Sequence, residues 1–98
     1  MSEDEVRSLA DGFKLLGEPT RVRLLYALLV AGEMNVGDLA AEVGATETTV
    51  SHALRLLRAA GIVRNRRDGR SIYYRLDDDH VRQLLEISRE HVMHEAGA

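Results

Sequence analysis

The hydrophobic period of this chain changes near residue 62, and that change restricts the possible folds more than any other feature. Before it, the segment TETTVSHALRLLRAAG places Val50, Leu54 and Leu57 on one face of a helix. After it, IVRNRRDGRSIYYRL alternates between apolar and polar residues, and its Asp68-Gly69 pair is a strong signal for a hairpin. A helix followed directly by a two-stranded ribbon is therefore predicted at the centre of the chain.

The rest of the chain shows the period of amphipathic helices, with recognisable starts and stops. Pro19 suits the first position of a helix, and Asn35 suits the cap before one. Gly32 and Gly44 suit positions just past a helix end. The predicted helices cover residues 3–16, 19–31, 36–43 and 46–60, and a last one starts near residue 79.

This order of elements predicts a mainly α (α+β) fold of the winged helix-turn-helix type. Two helices joined by a tight turn, followed by a two-stranded β-hairpin wing, make up that motif. We expect the helix-turn-helix at about residues 36–60, the wing at about 62–76 and a last helix at about 79–94. Because 98 residues is the length of one small domain, a single domain over residues 1–98 is expected.

The charge of the chain is distributed unevenly. Its net charge is −3, but residues 51–75 contain seven arginines against Asp68 alone, a local balance of +6, and the remainder carries −9. A basic segment on an acidic body favours binding of a polyanion at one surface. A solvated arginine-rich face without a partner is the alternative that charge alone leaves open.

The second helix of a helix-turn-helix lies in the major groove of DNA, with its N-terminal half against the base edges. In the 46–60 helix, the face opposite the leucines carries the candidate DNA-binding side chains Thr48, Ser51, His52 and Arg55. Arginine is the commonest specific reader of guanine, and serine or threonine contacts bases or phosphates. An exposed histidine without any partner is the alternative for His52.

The wing carries further candidates for contact with DNA. Arg64 stands on its first predicted strand, and Arg66, Arg67 and Arg70 surround the turn. Arginines on a thin ribbon suit contacts to phosphates or entry into a narrow minor groove. A hairpin whose arginines only increase solubility is the alternative.

Three of the four histidines lie on the last predicted helix, at positions 80, 91 and 94. They share one strip of it, although His80 stands about 16 Å along the axis from His91. A zinc–nitrogen bond is only about 2 Å long, so one helix cannot bring these imidazoles to a single ion. Antiparallel pairing of a neighbouring apolar stripe with that of a second copy would bring His80 of one subunit close to His91 and His94 of the other. That stripe consists of Val81, Leu84, Leu85, Ser88 and Val92.

A carboxylate would complete such a site. Asp78 lies off the helical strip and converges on it only if it stands at the non-helical entry to the helix, and Asp79 is the second choice. One carboxylate and three imidazoles form a suitable four-coordinate zinc site. The competing interpretation is that the aspartates at positions 77–79 only cap the helix, and that the histidines belong to an ordinary interface.

Three segments of the chain resemble the ArsR/SmtB family of small dimeric bacterial repressors, namely LGEPTRVRLLYALL, GDLAAEVGATETTVSHALRLLRAAGIV and RDGRSIYYRL. The resemblance extends from about Leu9 to His94, and it implies a homodimer formed through the N- and C-terminal helices. Family members that sense metals on the last helix show the pattern D-x-H-x10-H-x2-H or -E. Asp78, His80, His91 and His94 fill every position of that pattern.

The chain departs from other members of the family at their thiolate sites. It contains no cysteine, and its segment EMNVGDL has Asn35 and Gly37 where those members have cysteines. Thiolate sites for arsenic, lead or cadmium and thiol-based redox sensing are therefore excluded. Zn(II) is the favoured metal, with Ni(II) and Co(II) as alternatives. Ni(II) and Co(II) require five or six ligands, and the only extra donor near His94 is Glu95.

These features predict a cytoplasmic transcriptional repressor that leaves a pseudo-palindromic DNA operator when metal binds at intersubunit sites. The alternative is a winged-helix regulator, repressor or activator, whose metal site is structural or vestigial. An enzyme is not expected, because H-E-x-x-H and Gly-rich phosphate loops are missing from the sequence. No membrane partner is expected either, since no run of 18 apolar residues and no signal-peptide pattern is present.

Overall fold

The computed structural model describes residues 1–97, and in that range it contains five helices and three strands. Ala98, the last residue of the expected domain, lies outside the described residues. The helices are α1 (Glu3–Leu16), α2 (Pro19–Ala31), α3 (Val36–Val43), α4 (Glu47–Ala59) and α5 (Asp79–Gly97). The strands are β1 (Met34–Asn35), β2 (Val63–Asp68) and β3 (Ser71–Leu76). The predicted winged helix-turn-helix is confirmed, with α3 and α4 as its two helices and β2 and β3 as its wing.

Side chains at the helix starts explain where the helices begin. The Thr46 side chain accepts a hydrogen bond from the Thr49 backbone N–H at 3.1 Å and so caps α4. Asn35 does the same for α3, through the Asp38 N–H at 2.8 Å. At the other end of α3, Gly44 has a φ of 69°, a left-handed conformation that glycine adopts without steric cost.

The three strands form one antiparallel sheet in the order β1-β3-β2. The wing pairs from Val63 opposite Leu76 to Asp68 opposite Ser71. Its two-residue turn is Gly69-Arg70, one position later than the Asp68-Gly69 signal, and Gly69 has a φ of 63° at the first central position, as a type II′ turn requires. Strand β1 was not predicted, and it pairs Met34 with Tyr74 of the central strand.

The core lies between α2, α3, α4 and the base of the wing. The predicted apolar face of α4 is confirmed, since Val50, Leu54 and Leu57 are fully buried. They pack with leucines of α2 and α3, with Val63 and Leu76 of the wing, and with Leu85 of α5. Helix α1 contributes no fully buried residue, and its Val6, Leu9 and Phe13 remain exposed.

Within residues 1–97, none of the helices is both long enough and apolar enough to cross a membrane.

Candidate functional site

The outer face of α4 presents the candidate base-contacting residues. Thr48, His52 and Arg55 are exposed, and Ser51 is half-buried. The apolar face of the same helix is fully buried, so α4 is fixed on its domain with this polar face outward. The arrangement meets the requirement for a helix that enters a major groove.

The arginines of the wing fall into two groups. Arg64 Nη1 lies 3.3 Å from Asp77 Oδ1, and Arg66 is bound by the carboxylate of Glu33. Arg67 next to the turn and Arg70 within it, by contrast, are exposed and form no ion pair within residues 1–97. Arg75 on β3 is likewise exposed without an ion pair in that range, but its charge is close enough to Glu33 to help lower the pKa of that carboxyl. Arg67 and Arg70 are therefore the unpaired cations at the tip of the wing, where they are free to bind phosphate.

The Glu33–Arg66 pair is the best-developed polar contact of the surface. Arg66 Nε donates to Glu33 Oε2 at 2.9 Å and to Oε1 at 3.1 Å, and Arg66 Nη2 donates to Oε1 at 2.6 Å. These hydrogen bonds lower the pKa of the Glu33 carboxyl, and they raise the pKa of Arg66. Both shifts favour the charged forms, so the two partners form an ion pair at neutral pH.

The start of α5 brings two of the four candidate metal ligands together. Asp78 stands just before the helix, and its Oδ1 accepts the backbone N–H groups of His80 at 2.8 Å and Val81 at 3.1 Å. His80 Nδ1 lies 3.8 Å from the same Oδ1, and its side chain is 97% exposed. Two ligand atoms of one tetrahedral zinc ion are about 3.3 Å apart, so the Asp78 carboxylate and the His80 imidazole are close enough to reach the same ion. Asp79 is already inside the helix and away from the histidine strip.

The other two candidates lie near the far end of α5. His91 is 68% exposed, and its Nε2 lies 3.5 Å from Glu95 Oε1. His94 is exposed one turn further on. Within residues 1–97, no three side chains that could bind a metal lie together, so a single chain presents the four candidates as two separate pairs.

The apolar residues of α5 divide differently from the predicted stripe. Val81 and Leu85 pack into the core of their own chain, so that part of the prediction, in which they face a second copy, is wrong. Leu84 and Ile87 are 39% and 65% exposed. At 100° per residue, these two lie within about 40° of His80, on the histidine strip itself. The strip therefore has an exposed apolar centre, with one pair of candidate ligands on either side of it.

Helix α5 is joined to the helix-turn-helix side of the molecule through α2. The Tyr26 hydroxyl donates a hydrogen bond of 2.8 Å to the backbone carbonyl of Leu85.

Comparison with known proteins assigns the family. The sequence profile described as "Bacterial regulatory protein, arsR family" matches residues 18–65. A "Cadmium resistance transcriptional regulatory protein CadC homolog" of Staphylococcus aureus is 41% identical over 86 residues, which cover 88% of this chain and 71% of that protein. The chain belongs to the ArsR family.

Other ArsR-family proteins show similarity over the same length. A "Transcriptional repressor SmtB homolog" of Synechocystis sp. is 42% identical over 92 residues, covering 94% of this chain and 69% of that protein. The crystal structure of the AntR antimony-specific transcriptional repressor matches with a TM-score of 0.89 and 35% identity, covering 99% of this chain and 87% of that one. This ArsR-family chain is thus a DNA-binding transcriptional regulator and not an enzyme, as the sequence predicted.

Two residues of the functional surface had no signal in the sequence. Glu33 looked like an ordinary acidic residue after a helix, and its pairing with Arg66 depends on the position of the unpredicted strand β1. Tyr26 lies in a helix whose apolar residues cover most of its faces, so nothing singled out its hydroxyl. Both contacts join residues far apart in sequence, which periodicity does not reveal.

Proposed function

We propose that this chain is a cytoplasmic, single-domain metal-responsive repressor that acts as a homodimer and leaves its operator when Zn(II) binds. Each of two sites would consist of Asp78 and His80 from one subunit and His91 and His94 of the partner subunit. The observation that carries this proposal is the exposed strip of α5, with one pair of ligands at each end and apolar residues between them.

Antiparallel pairing of two α5 helices follows from the centre of that strip. Leu84 and Ile87 lie near the midpoint between His80 and His91, so a two-fold axis through this centre pairs the start of one helix with the end of the other. The axis generates two equivalent sites in one step. Exposed apolar side chains of α1, among them Leu9 and Phe13, add area that a second copy would cover.

The donor types indicate which metals the site would take. Carboxylate and imidazole donors suit Zn(II), Ni(II) and Co(II), and a set of four favours tetrahedral Zn(II). The relatives named above include a cadmium resistance regulator and an antimony-specific repressor. Because this chain has no cysteine, it lacks the thiolate ligands that soft metals prefer, and we propose a nitrogen–oxygen site instead.

Operator binding would use α4 and the tip of the wing. Thr48, Ser51, His52 and Arg55 would face the bases and backbone of the major groove, while Arg67 and Arg70 would contact phosphates. Two copies of α4 in a symmetric dimer would read two half-sites of a pseudo-palindromic DNA duplex.

Release of DNA would depend on how the two α5 helices are paired. Each α5 is bound to its own α2 through Tyr26 and Leu85, so a change in the pairing of α5 changes the spacing of the two α4 helices. Metal affinity and DNA affinity are then linked by the same coupling free energy in both directions.

A mixed dimer provides the sharpest test of a shared site. His80→Ala subunits and His91→Ala/His94→Ala subunits would each form homodimers with two incomplete sites. A heterodimer carrying both, purified with two different tags, would contain one complete site and one lacking all three histidines. We expect it to bind one zinc ion with the affinity of the wild type. A heterodimer that binds no better than the two mutant homodimers would show that the site is not shared between subunits.

The identity of the metal is tested by titrating the purified dimer with Co(II) and following its visible absorption. Intense bands that saturate at one ion per subunit and disappear when Zn(II) is added are expected of a tetrahedral site. Weak bands would indicate a site of higher coordination and favour Ni(II) or Co(II) as the natural effector.

A structural or vestigial metal site is the second candidate, and the capping role of Asp78 favours it. The Oδ1 atom satisfies two backbone N–H groups without any metal, so this residue has a purpose in a regulator that senses something else. In that case metal would bind, or fail to bind, without any change in operator affinity.

A further inference from the structure

The Arg66 side chain crosses the sheet from one edge to the other. Arg66 lies on β2 directly opposite Tyr73 of the central strand β3, and Tyr73 is opposite Asn35 of β1. Glu33 precedes β1 by one residue, so its carboxylate lies on the far side of β3 from the backbone of Arg66. The guanidinium reaches that carboxylate, and hydrogen bonds of 2.6–3.1 Å hold it there.

The Arg66 guanidinium also stacks on the Tyr73 ring that it crosses. Its central carbon lies 4.8 Å from the centroid of the Tyr73 ring, within the range of a cation–π contact. Asp68 Oδ2 lies 3.8 Å from Nη1 on the side of the turn. With Nε and Nη2 bound to Glu33 and two carboxylates nearby, little of the charge of Arg66 is left for a phosphate.

The Glu33–Arg66 contact joins elements whose relative position matters for binding DNA, namely the helix-turn-helix and the wing. Strand β1 connects α2 to α3, the first helix of the helix-turn-helix, and β2 carries the wing arginines. The backbone link between them is short, because β1 has only two residues. A side-chain bridge over β3 adds a second connection between the wing and the helices.

We propose that Glu33, Arg66 and Tyr73 form a clamp that fixes the angle of the wing, and that Arg66 is a positioning residue instead of a phosphate contact. This inference rests on the DNA-binding function of the chain. It assigns the phosphate contacts of the wing to Arg67 and Arg70, which are not engaged by acidic groups within residues 1–97.

The clamp and a direct contact between Arg66 and phosphate predict opposite changes in the DNA affinity of Glu33→Gln. If Arg66 bound phosphate, removing the competing carboxylate would free its charge and strengthen DNA binding. The clamp requires the reverse, a loss of about two- to fivefold, comparable to that of Arg66→Ala and in the range of one exposed ion pair. The double variant should bind no more weakly than either single one, since both break the same contact.

A charge exchange provides the rescue. Glu33→Arg combined with Arg66→Glu restores an ion pair while placing a negative charge on the wing. We expect this variant to bind DNA more tightly than Arg66→Glu alone. The slope of log affinity against log salt concentration should stay at the wild-type value in Arg66→Ala, whereas Arg70→Ala should reduce it by about 1. Tighter binding by Glu33→Gln, or a reduced slope in Arg66→Ala, would overturn the clamp.

The DNA probe is a duplex that the wild-type protein selects from a random pool, used at a temperature where every variant is folded. Amide hydrogen exchange of residues 63–76 provides a readout without DNA, and it should be faster in Glu33→Gln and unchanged in Arg70→Ala. If the wild type selects no duplex, the DNA-binding function fails, and the exchange rates still decide whether the clamp exists. Unchanged exchange in Glu33→Gln would overturn it.

Discussion

Among single residues, Asp78 is the one for whose two carboxylate oxygens we propose separate tasks. Oδ1 accepts both backbone N–H groups at the start of α5, and this fixes the carboxylate at the non-helical entry to the helix. The second oxygen forms no hydrogen bond within residues 1–97 and is available to a ligand. Asp79 is already inside the helix and does not cap it, which makes Asp78 the better candidate for the carboxylate of the proposed site.

Asp78→Asn and Asp78→Ala should separate these tasks. Asparagine caps a helix as well as aspartate does, so Asp78→Asn should retain stability while its zinc affinity falls at least about tenfold. Asp78→Ala should lose the cap as well, at a cost of about 0.5–2 kcal/mol. Denaturant unfolding and zinc titration measure the two effects, with Asp79→Asn as the matched control. Equal zinc affinities for Asp78→Asn and the wild type would contradict this assignment.

Substitution of an arginine on α4 and of one on the wing should weaken DNA binding in different ways. Arg55→Ala should cost about 1–3 kcal/mol of binding to the preferred duplex and relax the preference at one base pair. Arg70→Ala should weaken binding to all duplexes about equally, because a phosphate contact carries no sequence information. Binding measured on a set of single-base variants of the operator distinguishes the two. Loss of sequence preference in Arg70→Ala would show that the wing reads bases.

At the scale of elements, α5 shows what sequence patterns predict and what they leave undecided. Its range and its histidine strip followed from periodicity and from the aspartates that precede it. The helix has two adjacent apolar faces, and spacing alone did not reveal that Val81 and Leu85 belong to the core of their own chain. Strand β1 escaped prediction for a related reason, since two residues are too few to show any period.

Ile87→Glu tests the exposed face of α5. Because Ile87 is 65% exposed in the single chain, the variant should keep the fold, but a buried charge at the dimer centre should shift the protein to monomers. Sedimentation velocity measures the change, and Ala41→Glu on α3 adds the same charge away from α5 as the control. A stable dimer of Ile87→Glu would place the interface elsewhere.

The start of α2 should give a pH dependence of stability. Glu18 accepts the N–H groups of Thr20 at 3.1 Å and Arg21 at 2.9 Å, and these bonds lower the pKa of its carboxyl. A lowered pKa in the folded state stabilises the protein fully above the ordinary glutamate value of about 4.3, and the contribution is lost as the pH falls through the folded value.

Glu18→Gln should therefore be less stable than the wild type at pH 7, and the difference should shrink below about pH 4.3. Unfolding in urea at a series of pH values measures it. Glu86→Gln, at an exposed position of α5, should show no comparable difference. A gap between Glu18→Gln and the wild type that stays constant with pH would show that the charge of Glu18 is not involved.

At the scale of the whole molecule, charge and apolar surface are arranged for two kinds of partner. The basic segment of residues 51–75 covers α4 and the wing, while the acidic remainder keeps the net charge at −3. Seven of the ten exposed large apolar residues lie instead on α1 and α5, while Leu56 is the one on α4. DNA and a second copy would thus occupy separate surfaces, which α5 connects through Leu85 in the core and through the hydrogen bond from Tyr26 of α2.

The sequence was sufficient for the order of the five helices and the two wing strands, because caps, glycines and periods are local features. The metal-ligand candidates stay predictions. The sequence was insufficient for the paired state of Arg66, since Glu33 is distant in sequence and reaches it only through the fold. A site shared by two chains would likewise depend on how the α5 helices pair, and the described part of a single chain presents only two separate pairs of candidate ligands.

The most direct test is the affinity of the wild-type protein for its selected operator, measured by fluorescence anisotropy with Zn(II) and with a chelator in its place. His80→Ala serves as the matched control. We expect Zn(II) to weaken operator binding by about 5- to 150-fold in the wild type, the range of typical allosteric coupling, and to leave His80→Ala unaffected. An operator affinity that is the same with and without Zn(II), while the ion is shown to be bound, would contradict a metal-responsive repressor and leave a regulator with a structural metal site.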